Sequence, residues 1–206
     1  MRWTRAIHHL EALAQECAGM ASRPSSIFPV RVVELWAVGD VLGRPGDIDA
    51  VTVALVVDLP VEEVPWLGQP RGAQQWANAT RLDRNPIVGL WRSVHAPVWN
   101  HYVERPALVW DAENGLAERT LAALHDGDGA RVRLPAPSPE QRRARLTEEL
   151  AVSVRALRRC TTTYEQRRWS PGKLEPVADA LWRASDGYLD VLDALHGSLD
   201  HAGDDA

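Results

Sequence analysis

The run Val30-Arg-Val-Val-Glu-Leu-Trp-Ala-Val38, the turn Gly39-Asp40-Val-Leu-Gly-Arg-Pro-Gly46 and the run Asp47-Ile-Asp49-Ala-Val-Thr-Val-Ala-Leu-Val-Val57-Asp58 together decide the fold. Both runs are short, rich in Val and nearly continuous in apolar residues. They read as strands over 30–38 and 49–57, buried on both faces. Alternate residues of a strand share a face, so Asp47 and Asp49 are expected to point the same way at the mouth of the second strand, beside a Gly turn. Two hard oxygen ligands so placed suit a divalent cation, Mg²⁺ above all, and would bring it to a phosphate. The same residues also read as turn caps, because Asp after Pro-Gly readily bonds its own backbone.

Around this pair of strands the chain alternates in character. Trp3, Ile7, Leu10, Ala14, Cys17 and Ala21 recur at helical spacing, which predicts a helix over 2–21 that Pro24 ends. Pro60, Pro65 and Pro70 punctuate a connection that leads to a short helix over 71–79. Strands are expected over 87–92, 98–103 and 107–111, the last two as a hairpin about Arg105-Pro106. A helix over 116–124 capped by Asn114 and an edge strand over 131–134 follow.

Pro135-Ala-Pro-Ser-Pro139 is the clearest boundary. Ser138 suits an N-cap, Pro139 the first helical position, and Gln141 completes a capping box. Leu146, Leu150, Val154, Leu157, Thr161 and Tyr164 hold one face of a long helix, which Ser170-Pro171-Gly172 breaks. Val177, Leu181, Ala184, Tyr188, Leu192 and Leu195 hold one face of a second helix. The two form an antiparallel hairpin and must bury their stripes, most simply on each other and on the N-terminal helix. The expected fold is α/β or α+β, a small mixed sheet with an N-terminal helix followed by a C-terminal antiparallel helical hairpin. The expected organisation is an α/β domain over 1–134, the hairpin over 138–198, and a flexible tail over 199–206 that carries Asp200, Asp204 and Asp205.

Composition narrows the classes. With 206 residues and 45% hydrophobic content, the chain can build a full core. No apolar run approaches the roughly 20 residues of a membrane span, and charged and His residues interrupt the N-terminus where a signal peptide needs an apolar core. A cytoplasmic location is expected. Cys17 and Cys160 lack metal-ligand spacing and read as buried free thiols. The net charge of −5 does not suit general nucleic-acid binding.

The order of apolar strand, Gly-polar turn, Asp-x-Asp and apolar strand resembles the nucleotidyltransferase superfamily of the DNA polymerase β type. The resemblance covers residues 27 to 60 together with the helical C-terminal half, and the whole chain also resembles an uncharacterised bacterial family. It implies Mg²⁺-dependent nucleotidyl transfer, with Asp47 and Asp49 as metal ligands and catalytic residues. It implies a third acid, for which Asp111 at the end of a strand is the candidate. Gly39 and Asp40 fall where the superfamily has Gly-Ser beside the phosphates. Asp40 puts a negative charge where a triphosphate would lie, and the gap from Gly39 to Asp47 leaves room for one helical turn at most. The resemblance therefore implies either a transferase that takes a nucleotide or small molecule, or a catalytically inactive binding or regulatory module with a protein partner, of toxin–antitoxin or another type.

Other residues have plainer readings. The arginines of the first long helix, from Arg142 to Arg168, read as a solvated face paired with Asp186, Asp190 and Asp193. Trp66, Trp76, Trp91, Trp99 and Trp110 read as core. His95, Asn100 and His101 flank Pro97 without a nucleophile in a recognisable motif.

Overall fold

A computed structural model describes residues 1–24 and 28–203, the last five by backbone alone. The chain divides into two compact units, one of Met1–Leu59 with Pro70–Ala136, the other of Pro60–Gln69 with Pro137–Ala206. The Pro-punctuated connection thus belongs with the C-terminal helices, a partition that sequence order conceals.

The first unit is a mixed sheet carrying helices. Helix α1 (Trp3–Ala21) buries Trp3, Ile7, Leu10, Ala14 and Cys17 of the expected stripe and adds Ala6, Leu13 and Met20, while Ala21 at its end is half-buried. Strand β1 (Val32–Val38) and strand β2 (Val51–Val57) pair antiparallel, with Val38 opposite Thr52 and Val32 opposite Val57. One 3-10 turn, Gly39–Leu42, follows β1. Helix α2 (Ala73–Thr80) leads to β3 (Ile87–Ser93), which runs parallel to β2. Strand β4 (Ala107–Asp111) pairs antiparallel with β1, and the short β5 (Gly115–Leu116) closes on β4. The sheet order is β3-β2-β1-β4-β5, which puts the Val-rich pair in the middle. Helix α3 (Glu118–His125) lies beside α1. Trp76 of α2 meets Trp91 of β3 edge to face at 5.6 Å, and both are buried, as are Trp66 and Trp110.

Several elements differ from expectation, each for a local reason. Strand β2 begins at Val51, because Ile48 is already paired with Met1 and Asp47 forms an isolated bridge to Arg2. Residues 98–103 form bends and irregular chain in place of a strand. Arg92 donates to the carbonyls of Pro97 and Val98, while the Asn100 side chain accepts from the amides of Tyr102 and Val103. Those contacts consume backbone groups a strand would pair. Strand β4 accordingly finds β1 and β5 as neighbours. Asn114 bonds Asp111, so Ala117 stands at the N-cap of α3. Residues Gly129–Val132 form a 3-10 turn in place of an edge strand, with the Leu134 amide bonded to the Pro106 carbonyl.

The second unit is built on α4 (Pro139–Arg167) and α5 (Glu175–Gly203), which pack on each other as a hairpin. The capping box of Ser138 and Gln141 forms, with Pro139 at the start of the helix. Helix α5 continues to Gly203, past the expected onset of the tail at 199, whereas Asp204 and Asp205 lie outside the described residues. The 60–69 segment lies along the hairpin. The Trp66 indole donates to Asp190 at 2.6 Å, and Arg155 and Arg159 reach the Glu62 side chain and carbonyl respectively. Arg155, Arg159 and Asp190, expected as partners across the two helices, thus have bonds to this third segment.

Candidate functional site

The Asp-x-Asp segment sits at one end of the sheet. Gly39 leaves β1 with φ +71, a left-handed conformation that favours glycine, and the space around it is open. Asp40 is the second residue of the 3-10 turn, and its carbonyl accepts from the Gly43 amide. Across the gap, Asp47, Ile48 and Asp49 are held to the N-terminal residues. The Met1 amine donates to the Ile48 carbonyl and the Ile48 amide to the Met1 carbonyl. Ile48 is buried, whereas Asp40, Asp47 and Asp49 are exposed. The Arg133 guanidinium donates to the Gly39 carbonyl at 3.1 Å. Gly39, Asp40, Asp47 and Asp49 therefore share one end of the sheet, on bridged and bent backbone ahead of β2.

Asp111 is not among them. Its register partner is Glu34, while Ala107, at the other end of β4, pairs with Ala37 beside Gly39. Because Val38 opposes Thr52, Asp49 and Asp111 are separated by four residues of β1 and three of the approach to β2. The four residues of β1 alone span about 13 Å at ~3.3 Å per residue. The Asp111 carboxylate has a local task instead. Its Oδ1 accepts from the Glu113 amide at 2.9 Å, the Asn114 amide at 2.6 Å and the Asn114 side chain at 3.1 Å. Desolvation raises its pKa, but the bonds from Asn114 and Glu113 outweigh that and hold the carboxyl below its usual range. Asp111 therefore caps the turn between β4 and β5, where Gly115 adopts φ +79.

The sheet end that holds Asp111 carries a crevice of about 480 Å³, which the sequence does not advertise. Glu34, Asp58, Asp111 and Glu113 line it, with Val33, Val94 and Leu108 supplying apolar walls. Asp58 follows β2 and Glu34 lies near the start of β1, so only the antiparallel register brings them together. Glu34 accepts from the Trp36 indole at 2.7 Å, and His95 stands 3.2 Å from Asp58. That contact is largely solvent-exposed and contributes little to stability. Three of the four carboxylates are thus engaged by neighbouring donors. Among the described residues, no three His, Cys, Asp or Glu side chains are grouped to hold a metal ion. The i, i+2 spacing of Glu34 and Trp36 was the one sequence signal of this arrangement.

Among the described residues no helix is long and apolar enough to cross a membrane. The family model described as Domain of unknown function (DUF7711) matches residues 1–197. Comparison with curated proteins and with solved structures gives no match.

Proposed function

The chain belongs to the DUF7711 family, and we propose that it is a catalytically silent binding module on a nucleotidyltransferase-like scaffold. The observation that carries this reading is that Asp49 and Asp111 lie toward opposite ends of the sheet, with about 13 Å of β1, from Glu34 to Val38, between their levels. Nucleotidyl transfer by metal ions needs acids clustered tightly enough to neutralise charge on both the attacking and the leaving oxygen. Here two acids stand at one end of the sheet, and the third expected acid caps a turn at the other. The exposed carboxylate of Asp40, near the open Gly39, further disfavours a triphosphate.

One observation favours the catalytic reading. Gly39, Asp47 and Asp49 do share an end of the sheet, and both carboxylates are exposed there. In that reading Asp47 and Asp49 hold Mg²⁺, and Gly39 lets a phosphate approach the backbone. Thermal melting separates the two. A silent module keeps its midpoint with Mg²⁺ alone and with Mg²⁺ plus each nucleoside triphosphate, since only a ligand bound to the native state raises it. A rise that vanishes in the Asp47→Asn/Asp49→Asn double variant would overturn the silent reading and restore the transferase.

A further inference from the structure

One face of α5 follows a repeat that the hairpin itself does not use. Asp179, Trp182, Asp186, Leu189 and Asp193 succeed one another at steps of three and four residues, the spacing by which a helix presents one seam to a second helix. All five are exposed, Trp182 by 65% and Leu189 by 53%. At about 100° per residue, Trp182 lies about 180° round the helix from the buried Val191, and Leu189 about 140° from the buried Ala184. Both apolar side chains therefore point away from the core of the hairpin, and packing against α4 does not account for them. The acids between them are unpaired. Asp186 and Asp193 are expected from the sequence to meet the arginines of α4, yet among the described residues the side chains of Asp179, Asp186 and Asp193 have no hydrogen-bond or ion-pair partner. Arg155 and Arg159 reach Glu62 instead. Arg183, the one arginine of α5, is half-buried about 100° round from Trp182. Carboxylates and apolar side chains thus alternate along the stripe, each kind recurring every seven residues, or about 10.5 Å.

We infer that this stripe docks a basic amphipathic helix of another protein, one that sets apolar residues and Lys or Arg alternately along its own seam. Charge complementarity selects the occupant. A helix laid on the apolar positions takes water from the carboxylates between them, and only cations at the same spacing offset that loss. Anionic lipid surfaces and nucleic-acid backbones have the wrong sign. The same stripe of a second copy would set Asp among Asp, where like charges oppose association. Among the described residues no helix carries two Lys or Arg residues seven apart, so the other helices of a second copy do not match the stripe either. Trp182, between Asp179 and Asp186, is the anchor, because tryptophans dominate the binding energy of such contacts. No residue of the sheet takes part, so nucleotide binding and helix docking are separate outcomes.

Fluorescence anisotropy of two labelled synthetic helices, titrated with the full chain, tests it. The helices are identical except along the seam, where one alternates Leu with Lys and the other Leu with Glu at steps of three and four. The Leu/Lys helix is expected to bind saturably, and more weakly as salt rises. The Leu/Glu helix is expected not to bind. Trp182→Ala should weaken binding about tenfold or more, as for a hot-spot residue. Asp186→Asn should weaken it about 2–5-fold, the range of an exposed charge pair. The triple variant Asp179→Lys/Asp186→Lys/Asp193→Lys should exchange the preference, taking the Leu/Glu helix and rejecting the Leu/Lys one. Every substituted position is exposed, and circular dichroism checks that each variant keeps its fold. A wild type that does not bind the Leu/Lys helix overturns the inference. So does binding that survives Trp182→Ala, or a triple variant that keeps the wild-type preference. Sedimentation in which the wild type dimerises and Trp182→Ala does not would assign the stripe to a second copy and overturn it too.

Discussion

Gly187→Ala gives opposite answers depending on whether helix propensity or packing governs α5. Gly187 lies within the helix, where Ala is favoured over Gly by about 1 kcal/mol. Propensity alone predicts stabilisation. A Cβ built at Gly187, however, would lie 2.2 Å from the Trp66 carbonyl oxygen and 3.0 Å from its carbon. Both are backbone atoms, so no side-chain rotation relieves the clash, and the 60–69 segment must retreat by about 1 Å to restore ordinary contact. Trp66 is 3% exposed, and its indole is bonded at 2.6 Å to Asp190, which lies one helical turn from Gly187. The retreat therefore strains a buried indole and a charge-assisted hydrogen bond together. Overpacking costs about 1–3 kcal/mol and a weakened bond to a charged group another 1.5–3. Against the propensity gain, a net loss of about 2 kcal/mol is expected, or a fall of about 4–8 °C in Tm for a chain of this size. Gly197→Ala is the control in the same helix. Among the described residues no atom lies within 4 Å of its Cβ position, so its expected effect is a gain of up to about 1 kcal/mol. Calorimetry and urea unfolding measure both variants. If Gly187→Ala melts as high as Gly197→Ala, the seat of Trp66 against α5 is wrong.

Three further predictions follow from other parts of the structure. Ser138→Ala removes the side chain that accepts from the Gln141 amide, and should cost about 1 kcal/mol in urea unfolding. Asp111→Ala should cost about 1 kcal/mol near neutral pH by releasing the amides of Glu113 and Asn114. The folded pKa of Asp111 lies below its unfolded value, so its contribution is full above the ordinary carboxylate range and is lost as pH falls through the folded value. The gap between wild type and variant, followed by unfolding at several pH values, should accordingly close on acidification. Burial raises the pKa of both thiols, but Cys17 is 1% exposed and Cys160 only half-buried. A thiol reagent followed by mass spectrometry should label Cys160 slowly in the native protein, and Cys17 only on unfolding.

The local elements were legible in the sequence wherever one segment carried its own signal. The period of α1, the two Val-rich strands, the single turn after Gly39 and the capping box at Ser138 each depend on neighbours within a few residues. The 98–103 segment carries strand-forming residues yet forms no strand. Its backbone groups are taken by the Arg92 and Asn100 side chains, and which side chain wins a carbonyl is decided in three dimensions. Site geometry lies further still from local pattern. Asp47 and Asp49 could be placed near Gly39 because fewer than ten residues of chain join them. Asp111 could not be placed at all, because the end of β1 it occupies depends on the direction in which β4 pairs. Antiparallel pairing with Glu34 sends it away from Asp49 and into the crevice with Asp58. The sequence by itself determined the helices, the central strands and the cap that starts the hairpin, since short-range sterics and amphipathic period fix these. Only the tertiary structure decided strand direction, the union of the 60–69 segment with the hairpin, and which carboxylates meet. Those depend on contacts between residues far apart in the chain, which no local pattern encodes.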